Sequence, residues 1–369
     1  MYSWVEVDLG AVVNNYREIK NFLPKEVRLL AVVKAEAYGH GLVEVGKVLA
    51  NEGADYLGVT EVAEGITLRR QGITVPILVF GPFFPEEIEP AVEANLTLSI
   101  AALDQIRELA ALKAPANIQL KLETGLGRTG IKEAELEETI KILHENPQLQ
   151  LEACYSHLAT AGRKNPAYAY QQYKLFQKLK ERIKKSFPQV FFHLANSVAL
   201  QKYPEMHFDM VRAGTLLFGQ NNLLKLPLKE TWKLKARIIY LNKLPRGSSV
   251  GYERGAILKR DTKTAIIPLG FFQGYSLEPR SKILGSKALF LVLARNILDF
   301  LNSPRVANYV LLEGKKAPVL GKIGMQQTII DVTDFPELQK GTVVEINARR
   351  TAVNSLPRKY INSLNKQEF

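Results

Sequence analysis

Cysteine is almost absent from this chain of 369 residues, which contains a single one, Cys154. One cysteine cannot form an internal disulfide, so the framework of a disulfide-rich secreted protein is excluded and a reducing compartment is expected. The sequence neighbours of Cys154 are largely apolar, which favours a core thiol without a chemical role.

The N-terminus lacks a long apolar run. Its sequence, MYSWVEVD, carries charges where a signal peptide needs an apolar stretch. Together with the cysteine content, this predicts a cytoplasmic protein.

The chain also lacks a block of basic residues, although its formal net charge is +12. Lysine and arginine are scattered among acidic residues, which is typical of a solvated basic surface and not of a nucleic-acid or membrane partner. A positive field of this kind still favours ligands that carry phosphate.

Short apolar runs alternate with longer helical patterns over the first two-thirds of the chain. The runs lie at 29–33, 77–80, 118–122, 151–155, 191–194 and 216–218, with amphipathic stretches such as 102–112 and 170–185 between them. This alternation is typical of βα units on a parallel sheet. About eight units in this length predict a closed (β/α)8 TIM-type barrel, with an open doubly wound sheet as the alternative.

The pattern changes after residue 220 to short strands separated by turns. These strands are predicted at 235–241, 264–268, 309–312, 329–332 and 343–346. We therefore predict a barrel over 9–222 and a C-terminal β-rich domain over 223–369. A strand at 3–8 can join either domain, and we assign 1–8 to the second.

One segment interrupts this β-rich region. Apolar residues recur at helical spacing over 286–302, and Pro304 follows. A helix packed on the β-domain or at a subunit contact is predicted. A helix on a membrane surface is the less favoured alternative.

The sharpest local motif is VKAEAYGHG at 33–41, in which Lys34 ends an apolar strand. Catalytic residues of barrel enzymes lie at the C-terminal ends of the strands. A partly desolvated lysine there has the lowered pKa needed to form a Schiff base with an aldehyde. A strand-end lysine by itself is more often a solvated charge, but the full motif is more specific.

VKAxAYGHG resembles the lysine motif that binds pyridoxal 5'-phosphate (PLP) in alanine racemases. Further segments are similar to this family in the same order, namely ETGLGRTG at 123–130, HLA at 157–159, ANSVA at 195–199, VRAG at 211–214, SVGY at 249–252, GM at 324–325 and LPRKY at 356–360. They span nearly the whole chain. The resemblance implies a barrel with a C-terminal β-domain, PLP as cofactor, and interconversion of L- and D-alanine.

The resemblance implies two bases on opposite faces of the substrate α-carbon. Lys34 would hold PLP and serve one face, and Tyr252, contributed by a partner subunit, would serve the other. His157 would hydrogen-bond Tyr252 and help its phenol, with an ordinary pKa of about 10, to act as a base. Without the motifs, Tyr252 and His157 would be interpreted as an interface tyrosine and a core histidine.

Arg212 would face the pyridine nitrogen of PLP. Because arginine keeps its proton, the ring nitrogen would stay unprotonated and the ring would be a weaker electron sink. This favours return of the proton to the α-carbon over transamination.

Other matched residues imply further contacts with the cofactor and the substrate. The phosphate ligands would be Tyr38, Ser197, Gly214, Thr215 and Tyr360, with Asn196 positioning its neighbours. Arg128 would contact the cofactor hydroxyl and the substrate carboxylate, and Met325 would also contact the substrate. Lys121 matches a lysine that many family members carry as a carbamate, which would remove a like-charge clash with Arg128. No metal is predicted.

The match weakens at the substrate entrance. The family's GYxDGY is GFFQGY at 270–275, and its Met-Asp-Gln is MQQ at 325–327. Phe271, Gln273 and Gln326 thus replace a phenol and two carboxylates, and 286–302 looks like an insertion. These departures make a racemase for another amino acid, serine or a basic one, the alternative function.

Two other classes are less favoured by the residues present. A PLP decarboxylase on this scaffold keeps a glutamate where this chain has Arg212. A non-catalytic PLP-binding protein resembles the barrel alone and lacks a domain that supplies Tyr252. A site completed by a partner also implies a two-fold homodimer, and the expected role is D-alanine supply for peptidoglycan.

Overall fold

The structure is a computed structural model that describes residues 1–277, 290–294, 297, 308–363 and 367–368. The chain divides into two compact units, one formed mainly by Asp8–Thr231 and the other mainly by Met1–Val7 with Trp232–Ile361. The chain therefore passes between the units at Thr231, whereas the domain bounds of 9–222 and 223–369 stay a prediction.

Eight parallel strands of the first unit close into a barrel. After β1 (Ser3–Asp8), which belongs to the other unit's sheet, they are β2 (Arg28–Val32), β3 (Tyr56–Val59), β4 (Ile77–Val79), β5 (Thr97–Ile100), β6 (Ala116–Lys121), β7 (Leu149–Tyr155), β8 (Phe191–His193) and β9 (Met210–Ala213). Closure is direct, because Arg28 of β2 pairs with Met210 of β9. The predicted (β/α)8 barrel is confirmed and the open sheet is excluded.

Helices follow the strands around the barrel. They are α1 (Leu9–Phe22), α2 (Lys34–Gly39), α3 (Leu42–Asn51), α4 (Val62–Arg70), α5 (Ile88–Glu93), α6 (Leu103–Ala111), α7 (Leu136–Glu145), α8 (Ala167–Ser186) and α9 (Ala199–Lys202). Asp8 caps α1 by accepting a hydrogen bond from the Ala11 amide at 3.0 Å. The predicted helices at 102–112 and 170–185 are confirmed as α6 and α8, and α8 buries Phe176, Leu179 and Ile183 along one face.

One predicted barrel strand is wrong. Residues 216–218 belong to the 3-10 helix Thr215–Phe218, which follows β9. Gly214, with φ −119° and ψ −90°, turns the chain out of the strand, and the three apolar side chains of 216–218 are fully buried. A short apolar run indicates burial, and periodicity alone cannot separate a buried helix from a strand. β3, β5 and β9 lie outside the predicted runs.

The second unit is built from short antiparallel strands. They are β10 (Trp232–Arg237), β11 (Tyr240–Leu244), β12 (Ser249–Val250), β13 (Ala256–Ile257), β14 (Thr262–Ile267), β15 (Tyr309–Leu312), β16 (Lys315–Pro318), β17 (Thr328–Asp331), β18 (Val343–Ile346), β19 (Arg358–Asn362) and β20 (Gln367–Glu368). The largest sheet has the order β16-β15-β18-β10-β1-β19-β20, and a second sheet has the order β11-β14-β17. The predicted β-rich region is confirmed, although the single strand expected at 235–241 is divided between β10 and β11. β1 joins this unit through antiparallel pairing with β10.

The predicted helix at 286–302 lies largely outside the described residues. Residues 290–294 and 297, which are described, are helical. None of the described helices has the length and apolar content to cross a bilayer.

Candidate active site

A pocket of about 400 Å³ lies at the C-terminal ends of the barrel strands. This is the end of a (β/α)8 barrel that carries catalytic residues. Ten of the residues singled out in the sequence line it together: Lys34, Tyr38, Lys121, Arg128, His157, Asn196, Ser197, Arg212, Gly214 and Thr215. Residues that lie as far apart in sequence as Lys34 and Thr215 are therefore brought to one cavity by the closure of the barrel.

Lys34 begins α2, directly before a strained backbone segment. The four residues 35–38 have φ values of 52°, 54°, 49° and 56°, in the left-handed region. This conformation costs about 1–2 kcal/mol per residue for L-amino acids, so the surroundings must hold it. Glu64 supplies one restraint by accepting hydrogen bonds from the amides of Ala35 (2.6 Å) and Thr60 (2.9 Å). The turn after Lys34 is thus fixed from the first turn of α4.

The surroundings of the Lys34 amine favour its neutral form. Burial lowers its pKa, the positive charge of Arg128 lowers it further, and Glu64 opposes the shift. A lowered pKa raises the fraction of free amine, which is the nucleophilic and proton-accepting form.

Arg212 lines the pocket, is buried and is held by several acceptors. Nη1 donates to His193 Nδ1 at 2.7 Å, and Nη2 donates to the carbonyl oxygens of Ser156 (2.7 Å) and Leu194 (3.0 Å). Burial lowers its pKa to about 10, so the guanidinium stays charged at neutral pH. Its hydrogen bonds to the described residues use Nη1 and Nη2, which leaves Nε–H for a ligand.

His157 lies beside Arg212 and is a neutral imidazole. Burial lowers its pKa to about 3, with Arg212 and Arg128 adding to the shift. Its Nδ1 lies 3.4 Å from Arg212 Nη2. Because Arg212 can only donate, Nδ1 is an acceptor, and the imidazole hydrogen is placed on Nε2.

The pocket is strongly positive. Lys34, Lys121, Arg128 and Arg212 line it, and neither Asp nor Glu occurs among the described lining residues. The pKa of Lys121 is lowered to about 8, by burial first and then by Arg128 and Arg212. Its Nζ donates to Thr129 Oγ1. Such a cavity favours a ligand that carries phosphate or carboxylate groups.

Small groups at the ends of β8 and β9 form a cradle for an anion. Ser197 Oγ accepts a hydrogen bond from the Gly214 amide at 2.9 Å. A Cβ atom on Gly214 would lie 2.4 Å from Tyr38 Oη, so only glycine lets this hydroxyl approach the backbone. Asn196 Oδ1 accepts from the amides of Val198 and Ala199, both at 3.1 Å, and so orders the turn. Hydroxyls and amides thus converge at the rim.

Sequence reasoning missed two residues that support Arg212. The Tyr155 ring stacks on His193 with centroids 4.7 Å apart and an interplanar angle of 15°, and Arg212 lies 5.2 Å from the Tyr155 centroid. Tyr155 and His193 end β7 and β8. Their position at the C-terminal ends of barrel strands is the signal that would have indicated them.

Three predicted site residues, Tyr252, Met325 and Tyr360, belong to the other unit. Tyr252 begins a 3-10 helix, Tyr252–Arg254, and is 75% exposed. Met325 is also exposed, and Tyr360 is half-buried in β19. They are not among the residues that line the barrel pocket. At the predicted entrance, Gln273 Oε1 accepts from the Gly270 amide at 3.0 Å and Phe271 is exposed.

Both units match domains of known proteins. The pattern of the alanine racemase N-terminal domain matches residues 7–222, and that of the alanine racemase C-terminal domain matches residues 231–360. Alanine racemase 2 of Caldanaerobacter subterraneus subsp. tengcongensis is 34% identical over 352 residues, which are 93% of this chain and 84% of that protein. The alanine racemase of Geobacillus stearothermophilus is 32% identical, over 94% of this chain and 84% of its own length.

Solved structures agree with the sequence comparison. An alanine racemase of Clostridium difficile 630 has a TM-score of 0.86 at 25% identity, covering 100% of this chain and 97% of that one. An alanine racemase of Bacillus anthracis with bound L-Ala-P has a TM-score of 0.81 at 28% identity, covering 100% of this chain and 96% of that one. The chain belongs to the alanine racemase family.

Proposed function

We propose that this member of the alanine racemase family interconverts L- and D-alanine with PLP bound in the barrel pocket. The observation that carries the proposal is the pocket, which is lined by four basic residues. Two of them are Lys34, whose pKa is lowered, and Arg212, which is held in place as a cation. A phosphate-bearing aldehyde is the ligand that uses both the amine and the positive charge.

The residues present fit PLP. Ser197 Oγ, the Gly214 amide, Thr215 and Tyr38 would hold the phosphate, and the missing Cβ of Gly214 is what lets Tyr38 Oη close the cradle. Tyr360 of the other unit stays a predicted further phosphate ligand. Lys34 Nζ would hold the aldehyde carbon, and Arg212 Nε–H would face the ring nitrogen.

PLP, when bound, withdraws electrons from the substrate α-carbon and so makes its proton acidic. Lys34 Nζ would move this proton on one face of the α-carbon, and Tyr252 Oη of a partner subunit would move it on the other. Arg128 would orient the substrate carboxylate, with Met325 as a further contact. A two-base arrangement inverts the configuration because the proton leaves one face and returns on the other.

Arg212 and His157 would assist this proton transfer through hydrogen bonds to the cofactor ring and to Tyr252. Arg212 is held as a cation by the acceptors of Ser156 and Leu194, so it would donate to the ring nitrogen and never protonate it. His157 has its hydrogen on Nε2, the nitrogen left to donate to Tyr252 and to stabilise the phenolate.

Lys121 would carry a carbamate. Its pKa of about 8 leaves a fraction of neutral amine that can attack carbon dioxide, with loss of one proton. The product is an anion beside Arg128, in a pocket whose described lining otherwise holds no carboxylate. This would replace a like-charge repulsion by an ion pair.

A two-fold homodimer follows from the proposal, because Tyr252 would complete the partner's site. The expected biological role is D-alanine supply for peptidoglycan. A racemase for serine or a basic amino acid is the second candidate, favoured by Phe271, Gln273 and Gln326 at the predicted entrance.

The test is incubation of the PLP-loaded protein with each L-amino acid, with the D-enantiomer scored by chiral chromatography and Tyr252→Phe run alongside. Preference for alanine with loss of turnover in Tyr252→Phe supports the proposal. Preference for another amino acid selects the second candidate, and bound PLP without racemisation overturns both.

A further inference from the structure

The side chain of Gln172, on α8, is buried beside the segment that carries His157. Only 1% of Gln172 is exposed, and it shares the buried face of α8 with Phe176. A buried carboxamide is costly unless its two N–H donors and its oxygen find hydrogen-bond partners. The partners of Gln172 therefore decide what a polar residue contributes at this position.

The carboxamide of Gln172 binds the backbone on both sides of Leu158. Its Oε1 accepts a hydrogen bond from the Ala159 amide at 2.8 Å, and its Nε2 donates to the carbonyl oxygen of His157 at 3.1 Å. A backbone N–H can only donate and a carbonyl oxygen can only accept, so these two contacts fix the orientation of the carboxamide. The second Nε2 hydrogen is directed at Thr124 Oγ1, at 3.4 Å.

These contacts fix the chain where it leaves the barrel sheet. β7 ends at Tyr155, so the peptide groups after it must find partners other than a neighbouring strand. One side chain satisfies the carbonyl of His157 and the amide of Ala159 together. Because the direction of its carbonyl sets ψ of His157, this restraint limits where the imidazole can lie.

The contact that holds the imidazole of His157 itself is long. Its Nδ1 lies 3.4 Å from Arg212 Nη2, whereas hydrogen bonds from N–H groups ordinarily span about 2.7–3.2 Å. The same Nη2 has closer acceptors in the carbonyl oxygens of Ser156 (2.7 Å) and Leu194 (3.0 Å). Arg212 is therefore a weak restraint on the ring, and the position of the imidazole depends mainly on how its backbone is held.

The third contact of Gln172 ties this segment to the one that follows β6. Ser156 Oγ donates to the carbonyl oxygen of Leu122 at 2.7 Å, so Thr124 Oγ1 must be the donor in its 2.7 Å contact with Ser156 Oγ. Thr124 Oγ1 then accepts from Gln172. The hydrogen bonds run in one direction from Gln172 to Leu122, and each hydroxyl in the line both donates and accepts.

The turn that carries Arg128 is held by a different group. The Glu123 carboxylate accepts from the amides of Gly127 (3.1 Å) and Arg128 (3.4 Å). These restraints do not involve α8. Loss of the Gln172 carboxamide is therefore expected to displace His157 and to leave the turn of Arg128 in place.

We propose that Gln172 is a positioning residue that holds His157, through the carbonyl of His157 and the amide of Ala159, where the imidazole can donate to Tyr252. The inference rests on the proposed function, in which Tyr252 of a partner subunit is one of the two bases. Gln172 is not among the described residues that line the pocket, and it acts through the backbone.

The first experiment uses NMR on the protein without PLP. Gln172→Met keeps the length of the side chain and removes its donors and its acceptor. Amide hydrogen exchange at Ala159 is expected to become about tenfold faster, because a hydrogen bond that protects it is lost. The imidazole of His157, with a pKa of about 3 in the wild type, is expected to titrate closer to the ordinary value of about 6.5. His157→Asn assigns its signals.

Two variants on the same helix are the controls. Gln177→Met makes the same substitution at an exposed position of α8. Tyr168→Phe removes another hydrogen bond between α8 and a loop, from Tyr168 Oη to the carbonyl oxygen of Gly125 at 2.7 Å. Both variants are expected to keep the wild-type exchange at Ala159 and the wild-type titration of His157.

The holoenzyme separates positioning from substrate binding. In Gln172→Met, kcat is expected to fall about tenfold with KM within about twofold, because His157 would assist proton transfer whereas Arg128 would contact the substrate carboxylate. Gln177→Met is expected to keep both constants. A rise in KM with kcat unchanged would contradict a role through His157 and overturn the proposal.

Wild-type exchange at Ala159 or a wild-type titration of His157 in Gln172→Met also overturns the proposal, whatever happens to kcat. If Gln172→Met does not fold, Gln172→Glu keeps an acceptor for Ala159 and directs a carboxylate at the carbonyl oxygen of His157. Unchanged His157 signals in that variant overturn the proposal equally. A wild type that racemises nothing would overturn the proposed function and leave the NMR result standing.

Discussion

Gly214 and Tyr38 approach so closely that a Cβ on Gly214 would lie 2.4 Å from Tyr38 Oη. Gly214→Ala therefore forces Tyr38 away from the anion cradle. We expect the affinity for PLP to fall at least about tenfold, or about 1.4 kcal/mol, measured by equilibrium titration of the apo-protein. Gly162→Ala is the control, because nothing lies within 4 Å of a Cβ there.

The same pair allows a double-mutant cycle. Tyr38→Phe removes the hydroxyl that meets the new methyl group, so Gly214→Ala is expected to cost less in that background. Equal losses in both backgrounds would show that the contact with Tyr38 is not what excludes a side chain at Gly214.

Arg128 lowers the pKa of Lys34, after burial, and that of Lys121. Arg128→Gln removes this charge, so both pKa values are expected to rise. The neutral amine of Lys34 then forms only at higher pH, and the pH profile of PLP incorporation, followed by absorbance, moves to higher pH. The exposed Lys164→Gln is the control for a lost surface charge. A profile that keeps its position in Arg128→Gln contradicts the electrostatic account.

The fold could be predicted from the sequence in those segments whose structure follows from the local pattern of apolar and polar residues. The runs at 77–80 and 191–194 became β4 and β8 because strands buried on both faces are continuously apolar. The run at 216–218 is an exception, because Gly214 ends the strand and the three buried apolar side chains belong to a 3-10 helix that contacts α1.

Part of the candidate site could likewise be predicted from the sequence, and part could not. The ten pocket residues follow from motifs that lie at strand ends. The position of Glu152 could not be predicted, because it depends on a one-residue bulge between β6 and β7. Register is a tertiary property, and a charged residue in an otherwise apolar strand looks like an exposed one.

His157 should make stability depend on pH. Its pKa is about 3 in the folded protein, against about 6.5 when unfolded. The unfolded state therefore binds more protons below pH 6.5, and stability is lost as the pH falls from about 6.5 towards 3. His157→Asn is expected to flatten this loss in urea unfolding of the apo-protein at pH 7.5 and 5. The exposed His144→Asn should leave the wild-type slope, and an unchanged slope in His157→Asn would refute the assignment.

The proposed carbamate on Lys121 has a direct signature. With ¹³C-labelled bicarbonate, we expect a carbamate carbon signal in the wild type that is absent from Lys121→Gln, because the amine has a pKa of about 8. Thr129→Val removes the hydroxyl that accepts from Nζ and tests whether this contact helps to hold the group. A native mass spectrum and an electron density map that both show a free amine would rule the carbamate out.

Two variants that are each inactive are expected to complement each other if the sites are shared between subunits as proposed. Lys34→Ala lacks the proposed base of its own barrel, and Tyr252→Phe lacks the proposed base that it would supply to a partner. Random exchange of subunits puts half of the dimers in the mixed form, and each mixed dimer has one site with both bases intact. An equimolar mixture is therefore expected to recover about a quarter of the wild-type activity if assembly is two-fold. Each variant alone, carried through the same exchange step, is the control, and a mixture no more active than its parts would mean that Tyr252 does not serve a partner's site.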